Sequence, residues 1–306
     1  MKTKSLISLL LVMCLCLTLM CACSRKGDDG TASTGDEVVA TKTEEKENTP
    51  KDIFNILLIG VDEINDLGTS DAILMLSIDN TYRKLKITSF NRDTYVYTSS
   101  LGNVNLNKIY SPGKVETLVK AIEDNFSVNI DRYALANYFT FEDMLDAVGG
   151  VEMTLTKDEI AYINAMMKEQ GSDKQIAEDA GLVKLSSAQA LCHMRNRTGA
   201  KGEDDEFSRS RRQREFLKAL IETFKNATAQ ELTDMATVAV PMLNTDMTAK
   251  EKVSLVNGIF TYLTYTVEEC SMPSEGSFSI AGGKSDPRVI VDDWDKTKSE
   301  LNAFLY

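Results

Sequence analysis

Histidine is nearly absent from this chain, since its 306 residues include only one, His193. A Ser-His-Asp hydrolase would have to use that residue, and no serine lies in the G-x-S-x-G sequence that exposes such a nucleophile. A metal centre built from several histidines is excluded by the same count. The G-x-x-x-x-G-K-S/T loop that binds nucleotide phosphates is also missing. Three broad enzyme classes are therefore disfavoured before any motif is considered.

Cysteine is scarce beyond residue 23, and basic residues are outnumbered by acidic ones, 34 to 46. Four of the six cysteines fall within the first 23 residues, which leaves Cys192 and Cys270, too few for a disulfide framework or a zinc site. Cys192 lies in an apolar stretch, where a buried thiol is favoured over a disulfide. The formal net charge of −12 implies a surface that repels nucleic acid, so we expect no nucleic-acid partner.

Residues 1–23 are typical of an export signal or a membrane anchor, because two lysines precede an apolar run over residues 5–22. That run is short for a membrane span, for which about 20 residues are typical. Cys23 stands where bacterial lipoprotein signals place the lipid-modified cysteine, so lipidation at Cys23 and an uncleaved anchor are alternatives. Residues 24–51 are polar and charged, and predict a disordered linker outside the cytoplasmic membrane.

Strand and helix patterns alternate over residues 52–228, which predicts one domain built around an α/β layered sheet. The continuous apolar run of residues 54–62 indicates a strand covered on both faces. Residues 187–197 are predicted to form a helix that turns into a strand. Residues 229–306 mix apolar helical segments with a stretch rich in glycine and serine, and we expect them to pack on the main domain.

Arginine is unevenly distributed, since six of the eleven arginines lie in the single stretch LCHMRNRTGAKGEDDEFSRSRRQREFL. Helical spacing places Arg209, Arg212 and Gln213 on the inward, apolar stripe of the helix predicted there. Arg211 and Arg214 point elsewhere. A buried guanidinium must be paired or line a wet cavity, and the first turns of a helix attract anions. The spacing therefore favours a localised site for a small anion.

Two further arginines and a nearby charged pair support this prediction. Arg195 and Arg197 project from the same face if their segment is extended, and two guanidinium groups on one face suit the oxygens of a diphosphate. Arg92 and Asp93 interrupt an apolar strand and need partners, as any buried charge does. The alternative is an ordinary charged loop, in which the acidic residues 203–206 pair with these arginines at the surface.

Two aspartates follow the first buried strand. Asp62 and Asp71 lie in the sequence IGVDEINDLGTSD, near the carboxyl end of that strand, where ligands collect in layered α/β sheets. Carboxylate oxygens bind Mg²⁺ together with substrate phosphates, so both residues are candidate magnesium ligands. Capping of loop turns is the alternative role of each aspartate.

Six segments resemble, in this order, segments of the LytR-CpsA-Psr family of bacterial cell-envelope proteins: NILLIGVD, TSDAILMLSID, SFNRDTYV, YFTFEDMLDAVGGVEM, LSSAQALCHMRNR and DEFSRSRRQREFLKAL. The resemblance implies a three-layer α/β/α sandwich with a central mixed sheet, anchored to the outer face of the cytoplasmic membrane. It also implies an enzyme that moves a glycopolymer from an undecaprenyl diphosphate carrier to a muramic acid hydroxyl of peptidoglycan. The bond formed is a phosphodiester, with Mg²⁺ assisting, and an apolar cavity would hold the polyprenyl chain.

The resemblance also assigns roles to individual residues. Asp62 and Asp71 match the family's acidic positions near the metal and the diphosphate. Spacing and resemblance together give the predicted diphosphate ligands, which are Arg92, Arg195, Arg197, Arg209, Arg212 and Gln213. The predicted catalytic residues are Asp62, Arg92, Asp93, Arg195 and Arg197. Within that group, Asp62 or Asp93 would activate the acceptor hydroxyl.

Two positions depart from the family pattern. The family usually has arginine where this chain has Thr69, and usually has aspartate where this chain has Glu206, although Asp205 is a neighbouring substitute. Both departures bear on catalysis more than on lipid binding. A non-catalytic lipoprotein that binds polyprenyl diphosphate-linked glycans is therefore the alternative function. A transcription regulator, suggested by the family's historical name, is disfavoured by the export signal and the negative charge.

Overall fold

The computed structural model describes residues 52–62, 68–177, 179–198, 206–242, 244–283 and 286–306. The predicted signal or anchor, the linker and the lipidation candidate Cys23 lie outside the described residues. Residues Lys51–Tyr306 form one unit. Within the described ranges, no helix is both long and apolar enough to span a membrane.

The described residues form a central sheet and three two-stranded sheets. The strands are β1 (Ile53–Asp62), β2 (Thr69–Asp79), β3 (Lys84–Phe90), β4 (Tyr95–Thr98), β5 (Gly102–Asn105), β6 (Arg132–Asn137), β7 (Val151–Leu155), β8 (Gly181–Leu185), β9 (Asn244–Thr245), β10 (Thr266–Met272), β11 (Phe278–Gly283) and β12 (Asp286–Val291). Six of them form the sheet in the order β10-β3-β2-β1-β6-β9. β1 runs antiparallel to β2 and parallel to β6, and β10 runs parallel to β3, so the sheet is mixed.

Eight α-helices lie among the described residues. They are α1 (Tyr110–Phe126), α2 (Tyr138–Ala147), α3 (Lys157–Glu169), α4 (Ser187–Arg195), α5 (Glu206–Asn226), α6 (Ala229–Met242), α7 (Ala249–Tyr262) and α8 (Trp294–Leu305). Capping boxes begin α3 and α4, where Thr156 pairs with Glu159 and Ser186 pairs with Gln189. The Thr156–Glu159 box has the spacing that the sequence shows.

Different helices cover the two faces of the central sheet. Along β1, Leu57 and Ile59 point into a core that α1 and α8 complete, whereas Ile56 points to the opposite face, where Ile221 of α5 packs. This alternation follows from the two-residue period of a strand. Helices on both faces of a mixed sheet make a three-layer α/β/α sandwich, which confirms the predicted fold class.

A third core lies beside the sheet. The two-stranded sheet of β7 and β8 packs with α3 and α4, and Phe216 of α5 joins them. The end of α4 and the beginning of α5 are held close together by this core, because the two helices contact each other. The arginine-rich stretch is therefore anchored on both sides of residues 199–205, which lie outside the described residues.

One predicted element is wrong. The sequence predicted a strand over Arg195 and Arg197, but α4 continues to Arg195. The capping box starts this helix early, and it ends where the main-chain N–H of Asn196 donates to the carbonyl of His193 at 3.1 Å. Arg195 thus lies in the last helical turn and Arg197 in the extended segment after it, so the two do not share a strand face.

Candidate functional site

The candidate site lies where β1 and β6 end. Because these strands are parallel, Asp62 at the end of β1 is adjacent to Tyr138, which follows β6 and begins α2. The side chain of Asn137 accepts a hydrogen bond from the main-chain N–H of Thr140 at 2.9 Å, and this cap fixes the start of α2. The carboxyl ends of two parallel strands are the position where α/β folds bind ligands.

Asp71 reaches the site through a bulge in β2. Gly60 pairs with Ala72 and Val61 pairs with Ser70, so Asp71 is the extra residue between them. Bulges re-aim side chains and are common beside active sites. The Asp71 carboxylate accepts hydrogen bonds from the guanidinium of Arg92 and, at 3.3 Å, from the hydroxyl of Thr69.

Arg92 and Asp93 lie in the turn between β3 and β4. The turn is held by the side chain of Asn91, which accepts the main-chain N–H of Asp93 at 2.9 Å. Nε of Arg92 lies 3.6 Å from the Asp93 carboxylate and 3.4 Å from the Glu206 carboxylate. The predicted interruption of the apolar strand therefore turns a buried arginine toward the start of α5.

Helix α5 contributes Glu206, Arg209 and Gln213 to the site, and Arg197 comes from the segment that follows α4. Arg209 lies 2.6 Å from the Glu206 carboxylate and donates to the main-chain carbonyl of Asp71 at 3.0 Å. The Gln213 amide reaches the same carbonyl at 3.5 Å. Nε of Arg197 lies 3.7 Å from the Glu206 carboxylate. Three guanidinium groups therefore converge on one carboxylate, which shows that this position accepts negative charge.

We call this group the strand-end cluster, and its members are Asp71, Arg92, Asp93, Arg197, Glu206 and Arg209. Three of its buried polar atoms have no hydrogen-bond partner, namely Nε of Arg92, Nε of Arg209 and Oε2 of Glu206. Buried polar atoms are nearly always paired in folded proteins, so these three indicate a site for a further polar group.

At Arg92 the carboxylates of Glu206 and Asp71 outweigh burial and raise the pKa, but at three other groups of the strand-end cluster the dominant effect is burial. It raises the pKa of Glu206 against the opposing effect of Arg209, and it raises the pKa of Asp93 against that of Arg92. It lowers the pKa of the Arg209 guanidinium. Each of these three groups is therefore pushed toward its neutral form, which is the opposite of what an ion pair with complete hydrogen bonding does.

Arg195 lies at the rim of the site. Its guanidinium carbon is 4.7 Å from the centre of the Tyr138 ring, and the side chain is exposed. Burial raises the pKa of Tyr138, and the carboxylates of Asp71 and Asp62 raise it further. The sequence patterns did not identify Tyr138. Tyr138 comes to the site through the parallel pairing of β1 with β6, which the sequence patterns do not show.

Arg212 lies apart from the strand-end cluster. It donates to the carbonyls of Asn196 at 3.1 Å and Thr198 at 3.0 Å, and to Glu159 at 3.2 Å. It is buried, as the helical spacing predicts, but these contacts use its donors to hold the segment that carries Arg197. The diphosphate-binding role predicted for Arg212 has no support in its contacts.

The two arginines expected to point away from the site do so in different ways. Arg211 is exposed and lies 3.6 Å from Glu215. Arg214 is largely buried, donating to the hydroxyl of Ser89 and lying 3.5 Å from Glu269. Both therefore lie outside the strand-end cluster, although Arg214 faces the sheet and not solvent.

A second polar group lies between α3, α4 and α5. One ligand atom each from Glu159, His193 and Glu215 lies within 4.8 Å of the other two. Burial lowers the pKa of His193 to about 4, against the opposing effect of Glu159. The neighbouring Cys192 is a buried free thiol, which confirms the prediction for that residue.

An apolar cavity of about 340 Å³ lies farther along α5. Its walls come from α2, α5, α6 and α7 and include Phe141, Phe216, Leu220, Phe224, Leu232, Met235, Leu255 and Ile259. Cavities of this size and lining are typical of sites for small apolar ligands. Helix α5 therefore connects the strand-end cluster with a hydrocarbon-lined space.

The family model named LytR_cpsA_psr matches residues 21–299. This chain belongs to the LytR_cpsA_psr family. The match contains every residue of the strand-end cluster and every strand described above. It confirms the family that the six sequence segments indicated.

Curated LytR_cpsA_psr relatives include two transferases. TagT of Bacillus subtilis, named a polyisoprenyl-teichoic acid–peptidoglycan teichoic acid transferase, is 26% identical over 247 residues, covering 78% of this chain and 71% of TagT. TagU of Bacillus cereus carries the same transferase name and is 28% identical over 245 residues, covering 78% of this chain and 75% of TagU. The expected enzyme class agrees with these relatives.

Solved structures of LytR_cpsA_psr proteins share the fold. TagT with bound octaprenyl pyrophosphate lipid aligns with a TM-score of 0.64 at 22% identity, covering 85% of this chain and 94% of that one. The likeness supports the three-layer architecture. The bound lipid belongs to the TagT structure.

Proposed function

We propose that this protein is an extracytoplasmic phosphotransferase that moves a glycopolymer from an undecaprenyl diphosphate carrier to peptidoglycan. The observation that carries the proposal is the placement of two sites along one helix. The strand-end cluster lies at the start of α5, and the apolar cavity is lined by its middle and end. A polyprenyl diphosphate has the matching chemistry, because it joins a charged diphosphate to a hydrocarbon chain. TagT and TagU, as teichoic acid transferases, support the same class.

The proposed reaction exchanges one phosphorus–oxygen bond for another. The hydroxyl oxygen of muramic acid attacks the phosphorus that bears the glycopolymer, and the P–O–P bond to the carrier breaks. The products are a glycopolymer joined through a phosphodiester and undecaprenyl phosphate. The hydroxyl proton passes to a carboxylate, for which Asp62 and Asp93 are the candidates.

The two candidate bases differ in their surroundings. Asp93 is buried and its pKa is raised by that burial, which brings a carboxylate closer to the range of an effective general base. Asp62 is half-buried at the end of β1, beside Tyr138. Replacing each with asparagine tests the role, because loss of the base should remove turnover while diphosphate binding is retained. For Asp62→Asn, Mg²⁺ binding must also be retained, since Asp62 is a candidate magnesium ligand.

Arginines supply the binding and the charge neutralisation. Arg92, Arg197 and Arg209 already surround the Glu206 carboxylate, so their geometry suits an oxyanion. Arg195 adds an exposed guanidinium at the rim, above Tyr138. As the P–O–P bond breaks, negative charge develops on the leaving phosphate, and fixed guanidinium groups stabilise it in a largely dehydrated site.

The carboxylates of Asp62 and Asp71 suit Mg²⁺ by donor type, because that ion binds one or two carboxylates together with substrate phosphates. Their strands are neighbours, and both carboxylates act on the same tyrosine, Tyr138. When bound, Mg²⁺ would supply positive charge to the diphosphate oxygens. Asp71 would then share its carboxylate between the ion and Arg92.

We place the described domain on the outer face of the cytoplasmic membrane. The support is the sequence of residues 1–23, with a lysine-flanked apolar run and the lipidation candidate Cys23. A polyprenyl carrier resides in that membrane, so the anchor would keep the site close to its substrate. Mass spectrometry of the purified protein distinguishes the two modes of anchoring, because a protein lipidated on Cys23 and a protein with an intact N-terminus have different masses.

The alternative function is binding without transfer, which the departures at Thr69 and Glu206 favour. Purified full-length protein in detergent, given lipid-linked glycopolymer, peptidoglycan and Mg²⁺, separates the two functions. We expect release of polyprenyl phosphate together with glycan attached to peptidoglycan. Saturable lipid binding with no release of polyprenyl phosphate would show the alternative to be correct.

A further inference from the structure

The single histidine of the chain has an unusual environment. His193 lies in α4, is only 1% exposed, and neither ring nitrogen has a hydrogen-bond partner. A neutral imidazole carries one donor and one acceptor, and leaving both unpaired in the interior is unfavourable because each loses its hydrogen bonds to water. A packing role would be served by an apolar residue without that cost. The ring must therefore be explained by something that it can bind.

Two carboxylates lie beside the ring. Glu159 of α3 and Glu215 of α5 each place an oxygen so that the three ligand atoms lie within 4.8 Å of one another. Ligand atoms around a tetrahedral zinc ion, with bonds near 2.0–2.1 Å, are about 3.3 Å apart. The side chain of Glu215 is 39% exposed, so it has room to move toward the other two ligands.

Glu159 is already positioned as a ligand would be. One carboxylate oxygen accepts from the main-chain N–H of Thr156 at 3.0 Å and from its hydroxyl at 2.9 Å, and the other accepts from Arg212 at 3.2 Å. Hydrogen bonds of this kind orient metal-binding carboxylates in proteins. The two ionised glutamates balance the charge of a dication, and Arg212 adds one positive charge beside Glu159.

We propose that Glu159, His193 and Glu215 form a binding site for a divalent transition-metal ion, with Zn²⁺ as the ion that fits the donors best. One imidazole and two carboxylates leave an open position for water, as in zinc sites with three protein ligands. The imidazole disfavours Mg²⁺, which takes oxygen ligands. This site is separate from the strand-end cluster and does not depend on the proposed transferase activity.

The ion would join α3 to α4 and α5, the two helices that carry the arginine-rich stretch. Glu159 belongs to α3, His193 to α4 and Glu215 to α5, and α4 ends two residues after His193, at Arg195. Arg212, which contacts Glu159, holds the carbonyls of Asn196 and Thr198. Metal binding would therefore restrict the segment from which Arg195 and Arg197 project.

The test is Zn²⁺ binding to the full-length protein after chelator treatment, without any lipid substrate. Isothermal titration calorimetry should give one Zn²⁺ per chain, and the ion should raise the thermal unfolding midpoint. His193→Gln and Glu215→Gln should each weaken binding by more than about 10-fold, the lower bound seen for loss of groups that only support a metal ligand. Glu215 is partly exposed, so its variant is not expected to unfold.

The matched control is Glu222→Gln, which removes an exposed carboxylate from the same helix and should leave Zn²⁺ affinity unchanged. Absence of stoichiometric Zn²⁺ binding would overturn the proposal, and so would equal affinity in the wild type and both ligand variants. Loss of Zn²⁺ binding in Asp62→Asn with Asp71→Asn, but not in His193→Gln, would place the ion at the strand-end cluster instead. That outcome would contradict this proposal without affecting the proposed transferase.

Discussion

The hairpin formed by β2 and β3 carries an aspartate near each end of β2, and the two are paired in different ways. At the turn, Asp79 pairs with Lys86 of β3. At the opposite end, Asp71 pairs with Arg92, which follows β3. We call these the turn pair and the site pair. The turn pair joins β2 to β3, and the site pair joins β2 to the turn after β3. Because the two pairs are placed alike, differences between them reflect the groups around each pair.

The turn pair is complete. Asp79 and Lys86 are 0% and 3% exposed, and the ammonium donates to Asp79 at 2.8 Å and to the carbonyl of Leu305 at 2.7 Å. The second oxygen of Asp79 accepts the main-chain N–H of Tyr82 at 2.9 Å. Burial acts to raise the pKa of Asp79, but the hydrogen bonds from Lys86 and Tyr82 outweigh it, and the pKa is lowered.

The site pair is incomplete. Nε of its Arg92 has no hydrogen-bond partner, and the neighbouring carboxylates Asp93 and Glu206 have raised pKa values because of burial. A folded protein tolerates such a group only where another interaction compensates or where function requires it. The contrast separates a charge pair with complete hydrogen bonding from a pair that retains an unpaired donor.

The largest expected effect is at the turn pair. Lys86→Met leaves the Asp79 carboxylate buried and unpaired, which should lower the free energy of unfolding by about 3–5 kcal/mol. Urea unfolding followed by circular dichroism measures it. Adding Asp79→Leu to the same variant should restore most of the loss, because buried ion pairs are replaceable by apolar residues. If the double variant is as unstable as the single one, the loss comes from packing and not from the unpaired charge.

The second effect concerns ligand binding at the site. Arg195→Ala should weaken binding of a polyprenyl diphosphate by about 1.5–3 kcal/mol, the value of a hydrogen bond to a charged group. Unfolding free energy should change little, because Arg195 is exposed. The matched control is Arg83→Ala, which removes an arginine placed over Tyr265, near the turn pair. Equal losses of affinity in both variants would show a general charge effect and remove Arg195 from the site.

The smallest effect is a difference in pH dependence. The pKa of Asp79 is lowered from 3.8, so its stabilisation is present above 3.8 and is lost as the pH falls through the lowered value. The pKa of Glu206 is raised from 4.5, so its contribution is present below 4.5 and is lost as the pH rises through the raised value. The two carboxylates should therefore respond to acid with opposite signs.

Unfolding free energies of Asp79→Asn and Glu206→Gln, measured from neutral pH into acid, test this difference. The deficit of Asp79→Asn relative to the wild type should shrink as the pH falls below 3.8. The pKa of Glu206 is raised, so the wild type should gain stability relative to Glu206→Gln as the pH falls toward 4.5. Parallel pH profiles for the two variants would contradict the distinction between the pairs.

The sheet and its helices were predictable because they depend on local periodicity. The apolar run that became β1 and the capping box that begins α3 are both visible in the sequence. Helical spacing also predicted that Arg209 and Arg212 are buried. Local periodicity failed at the end of α4, because three residues are too few to distinguish a last helical turn from the start of an extended segment.

The pairing of charges was less predictable because it depends on tertiary contacts. Spacing placed Arg209 and Arg212 on one stripe, but their partners come from β2 and α3 and differ completely. The bulge at Asp71 and the position of Tyr138 depend on strand register, which no single segment encodes. The ordinary-loop alternative was partly right, since Glu206 does pair with arginines, yet the pairs are buried and incomplete.

Helix α5 bears on which lipids the proposed transferase would select. From Arg209 to Phe224 the helix axis measures about 22 Å, at 1.5 Å for each residue. Guanidinium groups lie near one end of this length, and aromatic rings of the apolar cavity lie near the other. A lipid diphosphate whose hydrocarbon tail is shorter than this distance would make the charged contacts but leave the far end of the cavity unfilled, so the proposed transferase would discriminate lipids by chain length.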